Sequence, residues 1–162
     1  MQLLKLTVLS VLTLAIAIGF VSCEKDAEKK KYLEYMKSGI PMTGSNEAPP
    51  TASSATGTLD VYYAKNSKTL SYKVTWQGLA DTIVGMHIHG TAPTGYSTGI
   101  LQNILTTKNE AVFPFRGGSY SGSLLIDGVV FKEENLLNGM YYLNIHTKTY
   151  PGGEIRAQIK FQ

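Results

Sequence analysis

Cysteine and charged residues are both scarce in this sequence. Its 162 residues include one cysteine, so no disulfide can form within the chain and a folded body must be stable by packing alone. Charged residues make up 17% of the chain, and the formal net charge at pH 7 is +3. The body carries no basic stripe of the kind that binds nucleic acid. We therefore expect no nucleic-acid partner.

Sequence motifs of catalysis are also missing. The segment GYSTG (95–99) has the Gly-x-Ser-x-Gly spacing, but it lies in a stretch rich in Gly, Thr and Pro and not at the strand-to-helix turn where that pattern exposes a nucleophile. Gly152-Gly153 follows Pro151 and predicts a turn, not a phosphate-binding loop. No other pairing of a nucleophile with a base stands out. The sequence thus predicts a protein that is not an enzyme and that has no organic cofactor.

Glycine, tyrosine and apolar residues are what the sequence does contain. Sixteen glycines and ten tyrosines stand against one tryptophan, a composition that favours strands and turns. Hydrophobic residues make up 43%, as in a globular protein. The length is sufficient for one domain.

The first 22 residues have the pattern of a secretory signal peptide. Lys5 lies near the start, and a nearly unbroken apolar run extends from Leu6 to Val21. This run is shorter than the roughly 20 apolar residues that a membrane-spanning helix needs. A charged start, an apolar core and a small residue before a cleavage site predict export of the chain.

Phe20-Val21-Ser22-Cys23 resembles a bacterial lipobox. The resemblance implies cleavage before Cys23 and attachment of acyl chains such as palmitate to that residue. Several chains are needed, because a single one gives only marginal membrane binding. We therefore expect a lipoprotein of the cell envelope, anchored in the outer membrane, on its periplasmic or its surface-exposed face. Residues 23–32 would be the lipidated cysteine and a polar tether, and residues 33–162 the domain.

Apolar and polar residues alternate along much of the domain, which is typical of half-buried β-strands. The clearest pair is residues 58–64 and 70–76, joined by a turn at 66–68. Further strands are predicted at 84–88, 141–145 and 155–161, and at 111–116 and 120–126 with a turn at 117–119. The pattern predicts an all-β fold, an antiparallel, Greek-key-like sandwich or barrel of about eight strands.

Three segments have other expected roles. Residues 132–138 are the one predicted helical turn, closed by Gly139, and residues 32–36 are either a strand or a helical turn. Residues 91–109, rich in Gly, Thr and Pro, would form a loop over one face of the sheet.

The three histidines and several other polar side chains share one predicted face. Alternation places Met86, Ile88, Leu143, Ile145 and Ile155 toward the core, so their polar neighbours point the other way. If these strands are adjacent, the polar face gathers His87, His89, Asn144, His146, Glu154 and Arg156.

Two interpretations of this cluster are open. The first is a hydrogen-bonded structural network that pins the loop above it, since buried polar groups need partners. The alternative is a metal site made by His87, His89 and His146, because zinc accepts three histidines and copper also accepts imidazole. Glu154 and Arg156 would form an ion pair or contact the histidines, and the Asn144 amide would orient a histidine.

Several motifs in order resemble the CHRD domain, named after chordin. They are GSNEAPP (44–50), ATG (55–57), LSY (70–72), HIHGTAPTG (87–95), LLNGMYYLNIHT (136–147) and PGGEIRAQI (151–159). The family usually has glycine where this chain has Ala157. The resemblance implies an extracellular β-sandwich or barrel whose molecular function is mostly unassigned.

The His-x-His pair with a later histidine is also distantly similar to copper–zinc superoxide dismutase. That likeness would make His87, His89 and His146 copper ligands and Arg156 an anion-guiding residue. No further histidine is present to complete such a site, and the supporting disulfide cannot form. Dismutase chemistry is therefore not expected.

Taken together, these features predict a non-enzymatic binding or structural module of the cell envelope. Its partners would be the membrane, through the lipid, and an unidentified protein or envelope component. The alternative is an envelope protein that binds zinc or copper through the three histidines.

Overall fold

A computed structural model of the protein describes residues 33–106 and 116–162. Met36–Gln162 form one compact unit. The predicted signal peptide, Cys23 and the tether lie outside the described residues. None of the helices in the described part has the length and apolar character needed to cross a membrane.

The described residues contain eight strands and two short helical turns. In chain order they are β1 (Glu34–Thr43), a 3-10 helix (Gly44–Asn46), β2 (Thr56–Ala64), β3 (Thr69–Gln77), β4 (Ile83–Gly90), β5 (Ile100–Thr106), β6 (Gly117–Leu125), α1 (Glu133–Leu137), β7 (Tyr141–Thr147) and β8 (Ile155–Gln158). The strands form one sheet in the order β5-β4-β7-β8-β1-β2-β3-β6. The sheet is antiparallel and curls into a half-barrel, which confirms the predicted all-β class and strand number.

The β2–β3 hairpin follows the predicted alternation closely. Leu59, Val61 and Tyr63 are buried, and they pair with Val74, Tyr72 and Leu70 of β3, which are buried as well. The residues between them are exposed or half-buried. One face of this hairpin therefore packs on the core and the other faces solvent.

Strands β7 and β8 differ, because every residue in them is buried. Leu143, Ile145, Ile155 and Ala157 are fully inaccessible on the core side. Side chains on the opposite side of these strands are polar, yet they too are covered. This second covered face is where the candidate site lies.

Two predicted segments have a different structure. Gly117-Gly118-Ser119 is not a turn but the start of β6, because Gly117 pairs with Gln77 and the ladder with β3 continues from there. The expected loop at 91–109 ends at Gly99, since residues 100–106 form edge strand β5 paired with β4. Residues 107–115, which include most of the predicted strand 111–116, lie outside the described part.

The β1 and β4 predictions also need adjustment. Residues 32–36 were expected to be a strand or a helical turn, and β1 begins at Glu34 and extends to Thr43. In β4, a register shift lies between Ile83 and Gly85. As a result Ile83 is buried and Val84 is only half-buried, contrary to the alternation. The predicted helical turn is confirmed as α1.

Candidate functional site

The predicted polar face brings three neighbouring strands together. In the register, His87 of β4 lies opposite Asn144 of β7, and Asn144 lies opposite Arg156 of β8. Their apolar neighbours Met86 and Leu143 face the core with no exposure. Adjacent strands and side-chain alternation therefore place the histidines, Asn144 and Arg156 on one surface, on the side away from the core.

The three imidazole rings converge. The ring centroid of His87 lies 4.6 Å from that of His146 and 5.6 Å from that of His89, and the His89 and His146 centroids are 6.0 Å apart. One ring nitrogen of each histidine lies within 4.8 Å of the other two. His89 and His146 are buried, and His87 is half-buried.

Asn144 lies at the centre of the cluster. Its Oδ1 is 3.0 Å from His89 Nε2 and 2.9 Å from His146 Nε2. The other nitrogen of each ring faces a backbone carbonyl: His89 Nδ1 is 3.0 Å from Thr98 O, and His146 Nδ1 is 2.9 Å from Pro151 O. The asparagine therefore orients two histidines, where the sequence predicted one.

His87 has no such partners. Its buried Nδ1 makes no hydrogen bond among the described residues. The ring folds back over Gly85, where an added Cβ would lie 2.7 Å from His87 Cε1 and 2.8 Å from Nε2. Glycine at position 85 is thus needed for this ring position.

Burial lowers the pKa of all three histidines. For His87 the pKa falls from 6.5 to about 4, mainly because burial disfavours the imidazolium, with further contributions from the nearby His146 and His89. Burial is also the main cause for His89 and His146, although their hydrogen bonds oppose it. The rings are therefore uncharged at neutral pH, a form that can ligate a metal.

Arg156 and Gln158 hold the cover segment, defined as residues 91–99. The Arg156 guanidinium donates to Tyr96 O at 2.9 Å, to Pro93 O at 3.5 Å and to Gln158 Oε1 at 2.6 Å. Gln158 Nε2 donates to Ala92 O at 2.9 Å. Buried side chains thus satisfy a series of backbone carbonyls and fix the cover segment in place.

Tyr142 links the arginine to the histidines, a role that the sequence did not predict. Its ring stacks on His89 with centroids 4.7 Å apart and an interplanar angle of 1°. The guanidinium carbon of Arg156 lies 3.4 Å from the same ring centroid, a cation–π contact. Tyr142 lies two residues before Asn144 and therefore on the same side of β7, but alternation does not show that it contacts both groups.

Glu47 is a second residue that the sequence reasoning missed. It follows the 3-10 helix and is 6% exposed. Burial raises its pKa from 4.5 to about 7, while the nearby Asn144 amide and the charge of Arg156 act in the opposite direction; its buried Oε1 makes no hydrogen bond among the described residues. Gly153, at a φ of +124°, lies against the side chains of Glu47 and Asn144. An added Cβ there would lie 2.5 Å from Glu47 Oε1 and 2.8 Å from Asn144 Nδ2. No spacing rule connects Glu47 with residues a hundred positions later.

Glu154 belongs to a different hydrogen-bond set from Arg156, so the predicted alternative of an ion pair between them is not found, and neither side chain hydrogen-bonds a histidine among the described residues. Its Oε1 accepts from Ser53 Oγ at 2.7 Å and from the Ala80 amide at 2.8 Å. Its Oε2 accepts from Thr147 Oγ1 at 2.6 Å. Glu154 therefore joins the segment before β2 to β7 and the β3–β4 connection, beside the histidine cluster but not in it.

Comparison with protein families identifies this architecture. The family model described as the CHRD domain matches residues 39–159. The chain belongs to the CHRD domain family. No curated protein and no solved structure matches it.

Every side chain of the candidate site lies within the CHRD match. It includes Glu47 at one end and Arg156 and Gln158 at the other. CHRD domains are not known as an enzyme family. The CHRD domain of this chain is thus a β-domain with one covered polar face, and that face can either serve as a fixed structural network or hold a cation.

Proposed function

We propose that this chain is a lipoprotein of the cell envelope whose CHRD domain acts as a non-enzymatic binding or structural module. The signal-like segment and Cys23 support export and lipid anchoring in the outer membrane. The CHRD match supports a β-domain without catalytic function. The partner of the module would be a protein or another component of the envelope.

One observation carries the binding role. Residues 45–50 and 94–97 enclose a groove of about 440 Å³. Both segments are fixed: Arg156 donates to Tyr96 O from below, and Ser97 Oγ donates to Ala48 O across the groove. Tyr96 itself is 67% exposed. A rigidly held, exposed tyrosine beside a groove is typical of binding surfaces, where little ordering entropy remains to be lost.

The anchor is tested by mass spectrometry of membrane fractions. We expect an acylated N-terminus at Cys23 in the wild-type protein. The Cys23→Ala protein should remain uncleaved and membrane-bound through its signal segment. Normal processing of that variant would contradict the lipoprotein proposal.

The binding role is tested by cross-linking the full protein in intact envelopes. Tyr96→Ala should lose the cross-linked product, whereas Tyr62→Ala should keep it. Tyr62 is the matched control, since it is a partly exposed tyrosine on β2, far along the sheet order from the cover segment. Equal products from both variants would contradict a binding surface at the groove.

A second candidate function is metal binding by His87, His89 and His146. The convergence of one nitrogen from each ring within 4.8 Å favours it, together with the unpartnered Nδ1 of His87. Two nitrogens bound to one tetrahedral zinc ion at about 2.0–2.1 Å lie about 3.3 Å apart. Small rotations of the rings would therefore close the site around an ion.

Metal content separates this candidate from a purely structural network. Elemental analysis and titration with zinc and copper should show about one ion per chain in the wild-type protein and none in the triple His→Ala variant. If both proteins bind equally poorly, the metal-binding function is excluded and the histidines serve the network alone.

A further inference from the structure

Around Asn144, hydrogen-bond acceptors outnumber the donors that could satisfy them. His89 and His146 each face oxygen at both ring nitrogens: a backbone carbonyl at Nδ1 and Asn144 Oδ1 at Nε2. Carbonyl oxygens only accept hydrogen bonds, and a neutral imidazole has one proton to give. Each ring can therefore satisfy one of its two oxygen neighbours and not both.

The backbone carbonyls are the natural recipients of these protons. Thr98 O and Pro151 O are main-chain acceptors that lie in fixed positions 3.0 and 2.9 Å from the two Nδ1 atoms, whereas the Asn144 amide can turn about its own bond. With both Nδ1 protons donated there, His89 Nε2, His146 Nε2 and Asn144 Oδ1 meet with lone pairs only. Histidines that ligate metals have this same pattern, with one ring nitrogen donating to a carbonyl and the other on the ion.

The distances suit a shared ion. Asn144 Oδ1 lies 2.9 Å and 3.0 Å from the two Nε2 atoms. Neighbouring donors of a tetrahedral zinc site are about 3.3 Å apart, given bond lengths of 2.0–2.1 Å. The third imidazole, His87, is within reach and has a buried nitrogen with no other partner in the described residues.

We propose, building on the metal-binding candidate function, that Asn144 Oδ1 is the fourth donor of a divalent-cation site completed by His87, His89 and His146. Glu47 is the positioning residue: its Oε1 and Asn144 Nδ2 both lie against Gly153, so the carboxylate favours the amide orientation that has Nδ2 on its side and Oδ1 toward the rings. Without the ion, the amide turns by half a rotation and donates its two N–H groups to the Nε2 atoms. The ion thus replaces two hydrogen bonds.

The donor set indicates the class of ion. Three imidazole nitrogens and one amide oxygen suit zinc or copper(II), whereas copper(I) prefers sulfur ligands. Met86, the methionine next to His87, points into the core with no exposure. The cover segment shields the site, because Thr98 O binds His89 and the Thr98 amide donates to Tyr142 Oη.

The test measures zinc affinity and the visible spectrum of bound cobalt(II), with the full chain in detergent. Asn144→Leu should weaken zinc binding at least about tenfold and change the cobalt spectrum, since one donor is lost. Glu47→Gln should weaken binding less and keep the spectrum. Asn135→Leu is the matched control, because it makes the same substitution at a half-buried asparagine of α1 that is not part of the site, and it should alter neither.

Asn144→Asp keeps the experiment informative if the leucine variant does not fold. A carboxylate in place of the amide retains an oxygen donor and adds negative charge, so zinc should bind as tightly as in wild type or more tightly. Weaker zinc binding by this variant would overturn the proposal.

The outcomes separate this inference from the function it rests on. If Asn144→Leu binds zinc with wild-type affinity and spectrum while the triple His→Ala variant does not bind, the oxygen is not a ligand and the three-histidine site stands. If Asn135→Leu weakens binding as much as Asn144→Leu, the loss is structural and the inference fails. If the wild-type protein binds neither zinc nor copper(II), both are overturned.

Discussion

The half of the single sheet that contains β4, β7 and β8 and the half that contains β2, β3 and β6 use their outer faces in different ways, and they are called here the covered end and the wet end. In β2, β3 and β6, residues facing away from the core are exposed or half-buried, as in an ordinary sheet with one wet face. In β7 and β8 no residue is exposed. The core faces of β2 and β3 and of β7 and β8 are all lined by buried apolar residues, so the difference lies in what covers the outer face.

The covered end shows how polar side chains can replace a second apolar layer. The cover segment has a backbone full of polar groups, and the side chains below it provide matching donors and acceptors. A dry apolar face could not satisfy those carbonyls. The polar residues of β4, β7 and β8 therefore stabilise the covering chain at the same time as they create the candidate site.

The largest expected effect comes from removing the cation that holds the cover segment. Arg156→Met should lower the free energy of unfolding by about 3 kcal/mol, because two backbone carbonyls and Gln158 lose a donor in a buried site. Lys73→Met on the wet face of β3 should change it by less than about 0.5 kcal/mol. Chemical denaturation of both proteins measures this. Similar losses would mean that the two ends do not differ in this way.

Glu154 gives a second, smaller contrast between the two ends. Glu154→Gln should cost about 2 kcal/mol, since a buried carboxylate that accepts three hydrogen bonds becomes an amide with a mismatched donor. The exposed Glu134 of α1 is the matched control, and Glu134→Gln should leave the unfolding free energy nearly unchanged. A loss as small as that of the control would show that Glu154 is not held as described.

Acid should affect the covered end through His87. Its pKa is about 4 when folded and 6.5 otherwise, so below pH 6.5 the unfolded chain binds a proton that the folded chain does not. Stability contributed by this residue is therefore present above pH 6.5 and lost as the pH falls toward 4. Thermal unfolding of His87→Ala should show a smaller decline across that window than wild type. Parallel profiles would contradict the lowered pKa.

Glu47 should give the opposite pH dependence. Its pKa rises from 4.5 to about 7 on folding, so its contribution is fully present below pH 4.5 and is lost as the pH rises to about 7. Glu47→Gln removes this titration. Compared with wild type, the variant should therefore become relatively more stable between pH 4.5 and 7 in the same thermal measurements, and an unchanged difference would contradict the prediction.

The smallest effect is expected on the wet face. Thr58 and Thr75 share a hydrogen bond of 2.7 Å between their hydroxyls across β2 and β3, in an exposed position. Thr58→Val should change the free energy of unfolding by less than about 0.5 kcal/mol, because water replaces the lost partner. A loss comparable to that of Glu154→Gln would mean that the wet face contributes far more than its exposure indicates.

Sequence reasoning succeeded where the two-residue alternation along a strand determines which side chains are buried. Alternation placed the β2–β3 hairpin, the core faces of β4 and β7, and the shared side of the three histidines. It failed at Gly117-Gly118-Ser119, because three small residues favour a turn locally while pairing with β3 keeps them extended. It also failed at β5, where a segment expected to be loop is held by its neighbour β4.

The candidate site was predicted only in part for a similar reason. Residues on one strand follow from parity, but Glu47, the carbonyls of Thr98 and Pro151, and the double contact of Tyr142 depend on where loops return. These contacts join segments far apart in the chain, and no local pattern encodes them. The expected Glu154–Arg156 pair failed because each side chain found closer partners in different loops.

The position of β1 has a consequence for the order in which the domain can be completed. Thr43 at the end of β1 is opposite Arg156 of β8, so the strand nearest the amino end of the domain lies beside the strand nearest its carboxyl end. Until β8 has been synthesised, β1 has no neighbour on that side. Arg156 is also not yet present to bind the cover segment. A chain truncated before β8 would therefore be an open, protease-sensitive polypeptide and not a partly working domain. Only the chain that includes β8 can complete the sheet.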